Sequence, residues 1–325
     1  MDLLIITADD LRKHIDMLTV IDAVERAYVQ LSRGQAEVPL RIPLNTPKGV
    51  TLFMPGYLKT DDAMAIKIVS VYGENPSKGL PTVTALVVGI DTNTGEPKAI
   101  IEGTFLTALR TGAASGVATR ALARPDSSVM AIIGSGGQAP TQIEAVCSVR
   151  PIRQVRICDL RLDLAEKLAE RMSERMKDVE FVVFGSSDEA VSGADVIVTV
   201  TTSRRPVFSA EAVSPGAHIN GIGAYTPEMQ EIPQDIVARA RVVIDSKTGA
   251  LAEAGDLIIP LRDGILDESR IVEIGEVLSG SAPGRESDQE ITFFKSVGNA
   301  VQDVAVANLV VGSAVREGWG QKVSI

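Results

Sequence analysis

The chain has 325 residues, a formal net charge of −10 and a hydrophobic share of 45%, of which aromatic residues make up only a small part. A chain of this length can bury a large core and is expected to form two domains, and the scarcity of aromatics leaves that core to aliphatic side chains. The excess of 42 acidic over 32 basic residues argues against nucleic acid or an anionic membrane as a partner.

Signals for targeting, disulfides and metals are weak. Leu3–Ile6 is too short for a signal peptide, and no apolar run approaches the roughly 20 residues of a membrane span. Cys147 and Cys158 fall in a predicted helix and strand, as buried thiols of a reducing compartment would. His14 and His218 cannot form a His-rich metal site, so we expect both to be structural and predict no metal. We therefore expect a soluble, cytoplasmic protein.

The N-terminal part predicts a helix followed by strands. Residues 8–34 have a helical apolar period, with Thr19 and Asp22 as a weak capping pair. An Ala- and Gly-rich helix near 104–121 leads to a boundary at Arg124-Pro125-Asp126. Between these helices, turn residues separate four predicted strands: Thr51–Met54, Met64–Tyr72, Thr82–Ile90 and Lys98–Glu102.

From residue 129 onward, strands and helices alternate. Strands are predicted at 129–133, 154–159, 179–184, 195–200, 217–222 and 241–245. The clearest helix has Asp163 and Glu166 as cap partners and an apolar stripe: Leu164, Leu168, Met172 and Met176. Such alternation predicts an α/β fold with a Rossmann-type, doubly wound parallel sheet. Residues 299–317 predict a last helix, which we expect to return to the N-terminal domain.

The strongest functional motif begins where the apolar run Val129–Ile133 ends. Gly134, Gly136 and Ala139 form the G-x-G-x-x-A pattern, in which a tight turn brings a pyrophosphate to the N-terminus of the next helix. A purely structural glycine turn is the alternative. The residues predicted to contact the cofactor here are Gly134, Ser135, Gly136, Gly137, Gln138 and Ala139.

Asp159 favours the cofactor interpretation over the structural turn. It ends the second predicted strand, about 20 residues beyond the glycines, where an acid binds the ribose hydroxyls of a dinucleotide. A carboxylate at this position repels a 2′-phosphate, so NAD is favoured over NADP. Arg161, two residues later, leaves NADP open. The chain is thus predicted to bind a nicotinamide cofactor.

Three cations in the N-terminal part are candidates for substrate binding. Lys67 interrupts an apolar strand, which is costly unless the lysine has a partner or lies on an edge strand that reaches solvent. Arg110 lies among small and apolar residues, which indicates a buried anion site. Arg41 is less informative and could be a surface residue. Together they suit the carboxylate of an amino or imino acid.

Several motifs, in their order and spacing, resemble the ornithine cyclodeaminase/μ-crystallin family. In the N-terminal part these are Gly79-Leu-Pro81, Asp91-x-x-Thr-Gly95 and Leu106-Thr-Ala-x-Arg-Thr-Gly-Ala-Ala-Ser115. The resemblance continues over nearly the whole chain in Gly134-Ser-Gly-Gly-Gln-Ala139, Ala194-Asp-Val-Ile-Val-Thr199, His218-Ile-Asn220, Lys295-Ser-Val-Gly298 and Gln302-Asp303.

The resemblance implies a homodimer of two-domain subunits. An α+β domain for dimerisation and substrate binding would comprise residues 1–120 with 299–325, and the NAD(P)-binding Rossmann domain would comprise 121–298. Arg41, Lys67 and Arg110 would bind the carboxylate and handle protons, and Met54 would line the pocket. The nicotinamide would be flanked by Thr199, Thr201, Ser296, Val297 and Gly298.

Departures from the family pattern narrow the activity. Cyclodeaminases of the family carry two acids, at the positions of Leu52 and Tyr225, that handle the distal amine. Tyr225 is expected to close the pocket rather than act as a general acid, because a phenol with a pKa near 10 is a poor proton carrier at neutral pH. Glu228 is the one nearby acid that could substitute.

The sequence therefore predicts an NAD(P)-dependent amino-acid dehydrogenase or imino-acid reductase, of the alanine dehydrogenase, ketimine reductase or pyrroline-2-carboxylate reductase type. Hydride would move to or from the carbon that bears nitrogen next to a carboxylate. The alternatives are an ornithine or lysine cyclodeaminase that regenerates NAD, and a μ-crystallin-like binding protein that retains the cofactor. The sequence does not rank the candidate amino and imino acids.

Overall fold

The computed structural model describes residues 2–325, apart from the side chain of Pro76, and it divides into two compact units. The first unit extends to Thr111 and includes Asn299–Ile325, and the second covers Gly112–Gly298. The division falls inside a helix that runs unbroken over Gly103–Leu122, whereas the sequence had placed it at residue 120. The turn at Arg124-Pro125-Asp126 ends this helix but does not separate the units.

The N-terminal elements alternate less regularly than those that follow. In chain order they are β1 (Asp2–Ile6), α1 (Ala8–His14), α2 (Met17–Ser32), β2 (Ala36–Glu37), β3 (Ile42–Thr46), β4 (Gly49–Leu58), β5 (Ala63–Val71), β6 (Val83–Ile90), β7 (Pro97–Glu102) and α3 (Gly103–Leu122). The four predicted strands are confirmed as β4 to β7, and the predicted helix near 104–121 as α3.

The single helix predicted over 8–34 is two helices. Asp16 begins the second, because its carboxylate accepts the backbone N–H of Thr19 at 2.9 Å. Thr19 therefore lies inside the first turn of α2, and its prediction as a cap with Asp22 was wrong. The capping box belongs to α1, where Thr7 and Asp10 each bond the other's backbone N–H.

The second unit alternates strand and helix as predicted. Its elements are β8 (Val129–Ile133), α4 (Ala139–Val149), β9 (Gln154–Cys158), α5 (Leu162–Arg175), β10 (Glu180–Val183), α6 (Ser187–Val191), β11 (Val196–Thr199), β12 (His218–Gly221), α7 (Gln234–Arg239), β13 (Arg241–Ile244), α8 (Lys247–Glu253), α9 (Gly255–Arg262), β14 (Ile271–Glu273), α10 (Ile274–Leu278) and β15 (Thr292–Lys295). All six predicted strands are confirmed.

The helix after Asp163 was predicted with the wrong cap. α5 begins one residue before Asp163, its N-cap is Arg161, and no side chain caps it. Asp163 instead pairs with the Arg161 guanidinium at 2.9 Å. Leu168 and Met172 lie on the buried face, as predicted, together with Ala165.

The chain ends with α11 (Ala300–Glu317) and β16 (Gln321–Ser324). As predicted, α11 returns to the first unit, where it packs against α2 and against β4, β5 and β6. Along β5 the side chains alternate, so Ala65, Lys67 and Val69 are buried on one face of the sheet. Among the described residues, no helix has both the length and the apolar character needed to cross a membrane.

Each unit contains one large sheet. Within the described residues, the first sheet has the order β16-β1-β7-β6-β5-β4-β2, with β3 paired to β4. The second has the order β10-β9-β8-β11-β12-β15-β13-β14, and its paired strands are parallel. The predicted doubly wound parallel sheet is thus confirmed. Its strand order reverses between β8 and β11, the position at which open α/β sheets bind ligands beyond the carboxyl ends of their strands.

Candidate active site

The glycine-rich turn follows β8 at this reversal of strand order. Gly134 has φ +106°, a backbone conformation that favours glycine, and a Cβ on it would lie 2.9 Å from the carbonyl oxygen of Val200. Both observations exclude a side chain at this position. A Cβ added at Gly136 or Gly137 would meet no protein atom within 4 Å. α4 begins at Ala139, which is fully buried. The turn therefore exposes backbone to open space directly before a helix N-terminus.

Two side chains of the same turn have unsatisfied polar atoms. Ser135 Oγ and Gln138 Oε1 are buried and have no hydrogen-bond partner among the described residues. Buried polar atoms are normally hydrogen-bonded, so these two unpaired oxygens indicate a ligand that has polar groups of its own. With the bare backbone of Gly136 and Gly137, these residues fit the pyrophosphate of a dinucleotide.

Asp159 is fixed at the end of β9 by two backbone N–H groups. Its Oδ2 accepts the N–H of Ser135 at 2.7 Å, and its Oδ1 accepts the N–H of Arg161 at 2.9 Å. The carboxylate is thus held next to the glycine-rich turn, and it retains lone pairs for further donors. The exposed Arg161 guanidinium is already paired with Asp163, so a 2′-phosphate would have to compete with an acid for it.

Thr199 and Thr201 lie at the carboxyl end of β11. Thr199 is fully buried, and its Oγ1 has no partner among the described residues. Thr201 donates its backbone N–H at 2.6 Å and its hydroxyl at 2.8 Å to Oε1 of Glu231. Glu231 was not identified from the sequence. Burial raises its pKa, and Asp256 raises it further while Lys295 opposes both effects.

Ser296, Val297 and Gly298 lie just beyond β15 and share one buried carboxylate. Asp245 Oδ2 accepts the Ser296 hydroxyl at 2.7 Å, the Val297 N–H at 3.1 Å and the Gly298 N–H at 2.8 Å. Burial raises the pKa of Asp245. Asp245 follows the adjacent strand β13, and nothing in its local sequence distinguished it from a surface acid.

In the first unit, Lys67 and Arg110 converge on one carboxylate. Lys67 Nζ lies 2.8 Å from each oxygen of Asp303, and both side chains are only 1% exposed. Arg110 Nε lies 3.1 Å from Asp303 Oδ1. Because β5 pairs with β4 and β6 on its two sides, the reading of Lys67 as a solvent-reaching edge-strand lysine was wrong.

Arg110 is held by a second contact with α11. Its Nη1 donates to Oε1 of Gln302, whose Nε2 donates in turn to the Tyr28 hydroxyl. Thr107, one turn earlier in α3, has a buried hydroxyl oxygen with no partner among the described residues. Asp303 and Gln302 appeared in the sequence only as parts of a motif. The detectable signal was an acid and an amide in the otherwise apolar N-terminal part of the helix.

Burial and neighbouring charges shift the pKa of Lys67 from its ordinary 10.5 to about 7. Burial is the largest cause, Arg110 and more weakly Arg41 add to it, and Asp303 opposes them. Lys67 can therefore be protonated or neutral near neutral pH.

Arg41 and Met54 are placed near Lys67 in different ways. Arg41 is half-buried and close enough to Lys67 to affect its charge state. Met54 is the cross-strand partner of Lys67 in the pairing of β4 with β5, so their side chains share a face. It is buried against Val69 and Ala300.

Tyr225 belongs to the second unit and is half-buried, four residues beyond the end of β12. Glu228, the candidate substitute for a missing acid, is exposed.

His218 is fully buried between Thr292 and Asn220, and burial lowers its pKa to about 3. A histidine held neutral in this way suits the structural role that was expected.

A model of the ornithine cyclodeaminase/mu-crystallin family matches residues 1–318. The protein belongs to this family. The family resemblance read from the motifs is thus confirmed, and the match covers both units.

Relatives of the chain reduce imino acids or oxidise amino acids, as their names state. The chain is 40% identical over 325 residues to a Delta(1)-pyrroline-2-carboxylate reductase from Bacillus cereus, with 99% of each sequence covered. The Thermococcus litoralis enzyme of that name, solved with NADH and L-proline, is 44% identical with a TM-score of 0.95, over 99% of this chain and 100% of that one. An archaeal alanine dehydrogenase, solved as a dimer with NAD, is 39% identical with a TM-score of 0.93 and complete coverage of both chains.

Proposed function

We propose that the protein is an NADH-dependent reductase of small cyclic imino acids, with Δ1-pyrroline-2-carboxylate as its substrate and proline as its product. The C=N double bond accepts a hydride at carbon and a proton at nitrogen, giving C–H and N–H bonds. The relatives that share 40% and 44% of their residues with this chain over nearly its full length support this choice.

The buried cluster of Lys67, Arg110 and Asp303 carries the proposal. It places two basic groups on one carboxylate, and Arg41 adds a third nearby. When Lys67 is protonated, the buried cations exceed the buried anion, and an uncompensated buried charge is costly. The carboxylate of an imino acid would supply the missing negative charge. A neutral substrate would not.

The roles of the three cations follow from their surroundings. Arg110 offers the planar guanidinium that a carboxylate can bond at two points, and Gln302 holds it in place. Arg41 would bond the same carboxylate from the loop before β3. Lys67, with its pKa near 7, would donate the proton to the imine nitrogen, because a group that titrates near the working pH transfers protons efficiently.

The second unit supplies the cofactor residues. A bound nicotinamide cofactor in its reduced form provides the hydride. The turn from Gly134 to Ala139 would hold its pyrophosphate and Asp159 its ribose hydroxyls, while Thr199, Thr201 and Ser296 to Gly298 would flank the nicotinamide. NAD(H) is favoured over NADP(H), because Arg161 is paired with Asp163 and Asp159 repels a 2′-phosphate.

Cyclodeamination is disfavoured, because the side chains at its two acidic positions are Leu52 and Tyr225. Leu52 packs against the apolar cluster of Met54, Val69 and Ala300.

Alanine dehydrogenation is the second candidate, favoured by the archaeal relative at 39% identity. It uses the same chemistry on an open-chain imine made from pyruvate and ammonia.

We also propose a homodimer through one face of the first sheet. The strand registers align Ile42, Phe53, Ile68 and Leu86 in one row across β3, β4, β5 and β6. This row lies on the face opposite Lys67, and Ile42 and Leu86 are exposed. An apolar sheet face of this kind needs a cover. The free thiols Cys147 and Cys158 support a cytoplasmic location.

The test is a substrate panel on the purified protein, with loss of NADH absorbance as the readout. It comprises Δ1-pyrroline-2-carboxylate, its six-membered-ring analogue, and pyruvate with ammonium; a separate sample receives ornithine and a trace of NAD, followed by ammonia release. We expect rapid NADH oxidation with a cyclic imino acid and negligible ammonia from ornithine. Ammonia release at several turnovers per second would overturn the proposal. So would tight NADH binding without turnover of any compound, the behaviour of a binding protein.

A further inference from the structure

Three charged residues of the second unit are linked to one another and have no contact with solvent. Glu231, Asp256 and Lys295 are each 0% exposed. Asp256 Oδ1 accepts the backbone N–H groups of Glu231 and Ile232 at 2.7 and 3.0 Å, and Asp256 Oδ2 lies 3.0 Å from Lys295 Nζ. Burying three charges is expensive. The proposed reaction gives none of them a role.

The Glu231 carboxylate joins two loops. Its Oε1 accepts the N–H and hydroxyl of Thr201 at 2.6 and 2.8 Å, and its Oε2 accepts the N–H groups of Gly223 and Ala224 at 2.6 and 3.0 Å. These loops follow β11 and β12, which are adjacent and parallel. One carboxylate therefore sets the spacing between Thr201 and the backbone next to Tyr225.

The loops after β11 and β12 also lie too close together for a side chain at Gly223. A Cβ on Gly223 would lie 2.0 Å from the Thr201 carbonyl oxygen and 2.6 Å from Glu231 Oε1. Since backbone atoms cannot yield as a flexible side chain can, the two loops fit only with glycine at this position. Their spacing is thus fixed by contact and by the carboxylate that accepts from both.

We propose that Glu231 is a positioning residue that holds the loops after β11 and β12 in the spacing needed to receive the nicotinamide half of the cofactor. Asp256 holds the backbone of Glu231 in turn, and Lys295 holds Asp256. The inference rests on the proposed function for the identity of the cofactor. The inference goes beyond the proposed function because it assigns a role to the buried Glu231 carboxylate.

A matched control lies at the other end of the same sheet. Asp195 immediately precedes β11, and its Oδ2 accepts the backbone N–H groups of Ser128 and Val129 at 2.8 and 3.0 Å, while Arg124 pairs with Oδ1. It resembles Glu231 as an acid that joins backbone segments. It lies at the amino end of the strands, away from the proposed nicotinamide loops.

The experiment compares the wild type with Glu231→Gln and Asp195→Asn in calorimetric titrations with NADH and with ADP-ribose, which lacks the nicotinamide. In Glu231→Gln, an amide NH2 group replaces one of the two carboxylate oxygens. In one orientation of the side chain this donor faces the N–H groups of Gly223 and Ala224, and in the other orientation Thr201 loses its acceptor. We expect its Kd for NADH to rise about tenfold or more, with the Kd for ADP-ribose changed less than about twofold. Asp195→Asn should lower Tm and leave both Kd values near those of the wild type.

Equal losses of NADH and ADP-ribose binding in Glu231→Gln would overturn the inference, because they would show a general structural role. Unchanged NADH binding would overturn it as well. If Glu231→Gln does not fold, Thr201→Val removes the hydroxyl bond to Glu231, together with the weaker bond that the same oxygen accepts from the Ser203 N–H. It should weaken NADH binding by about threefold without affecting ADP-ribose. A wild type that binds NADH but reduces no imine would refute the proposed function and leave the role of Glu231 testable.

Discussion

Lys67 Nζ lies 2.8 Å from both carboxylate oxygens of Asp303, although 236 positions separate the two residues in the chain. The contact forms because α11 returns to cover the face of β5 on which Lys67 lies. The ammonium is thereby held by an acid while burial and Arg110 oppose its charge. This balance keeps its pKa near neutrality.

The pH dependence of imine reduction should follow Lys67. With its pKa at about 7, the protonated donor is lost as pH rises through neutrality, so kcat/KM for the imine should fall on the alkaline side. Asp303→Asn removes the group that raises this pKa, and its alkaline limb should therefore move to lower pH. Profiles recorded from about pH 5.5 to about 9.5 test this. An alkaline limb that persists unchanged in Lys67→Met would assign it to another group.

Arg110 should matter for both binding and chemistry. Arg110→Ala should raise KM and lower kcat, because a misplaced carboxylate also misplaces the reacting carbon. The loss of a charge-assisted bond worth about 1.5–3 kcal/mol predicts a fall in kcat/KM of roughly ten- to hundredfold. Arg110→Lys retains the charge without the planar fork, so its loss should be smaller. Steady-state kinetics decide, and near-normal constants in Arg110→Ala would place the carboxylate elsewhere.

Asp159 should set the preference for NADH over NADPH. Asp159→Ala removes the acceptor for the ribose hydroxyls and the repulsion of a 2′-phosphate, so NADH should bind more weakly and the gap to NADPH should narrow. The lost charged bond again predicts roughly a tenfold effect or more on NADH. The measurement is kcat/KM for each cofactor. A wild type that prefers NADPH tenfold would refute this assignment.

Local features of the structure were predictable from the sequence, and distant pairings were not. Val129–Ile133, Gly134 and Ala139 were assigned correctly because a strand, a turn and a helix start depend on neighbouring residues. The partner of Lys67 was not found, since Asp303 reaches it only through the path of α11. Asp245 and Glu231 were missed for the same reason: their partners come from other strand ends.

The helix N-caps show that even local structure was not fully predictable from the sequence. Thr19 and Asp16 both suit a helix start by composition, and the chain uses Asp16, because its carboxylate reaches the Thr19 N–H. Of the candidate site, the sequence located the cations and the cofactor turn. It did not locate the buried acids that fix them.

Dimerisation should depend on the apolar row that includes Leu86. Leu86→Asp would place a charge on the proposed interface, where burial without a partner is costly, and we expect a monomer in light scattering at micromolar concentration. Leu18→Asp is the control, because Leu18 in α2 is 47% exposed compared with 50% for Leu86 and lies outside the row. A wild-type monomer would contradict the proposed dimer, and a dimeric Leu86→Asp variant would move the interface away from this face.

The most direct test of imino-acid reduction follows the hydrogen itself. NADH carrying deuterium at nicotinamide C4 is supplied with Δ1-pyrroline-2-carboxylate, and the proline formed is analysed by mass spectrometry against the NADH consumed. We predict a single deuterium at the α carbon from only one of the two C4-labelled forms, with one NADH oxidised per proline. Proline that carries no label from either form, or no proline at all while NADH remains bound, would contradict the account.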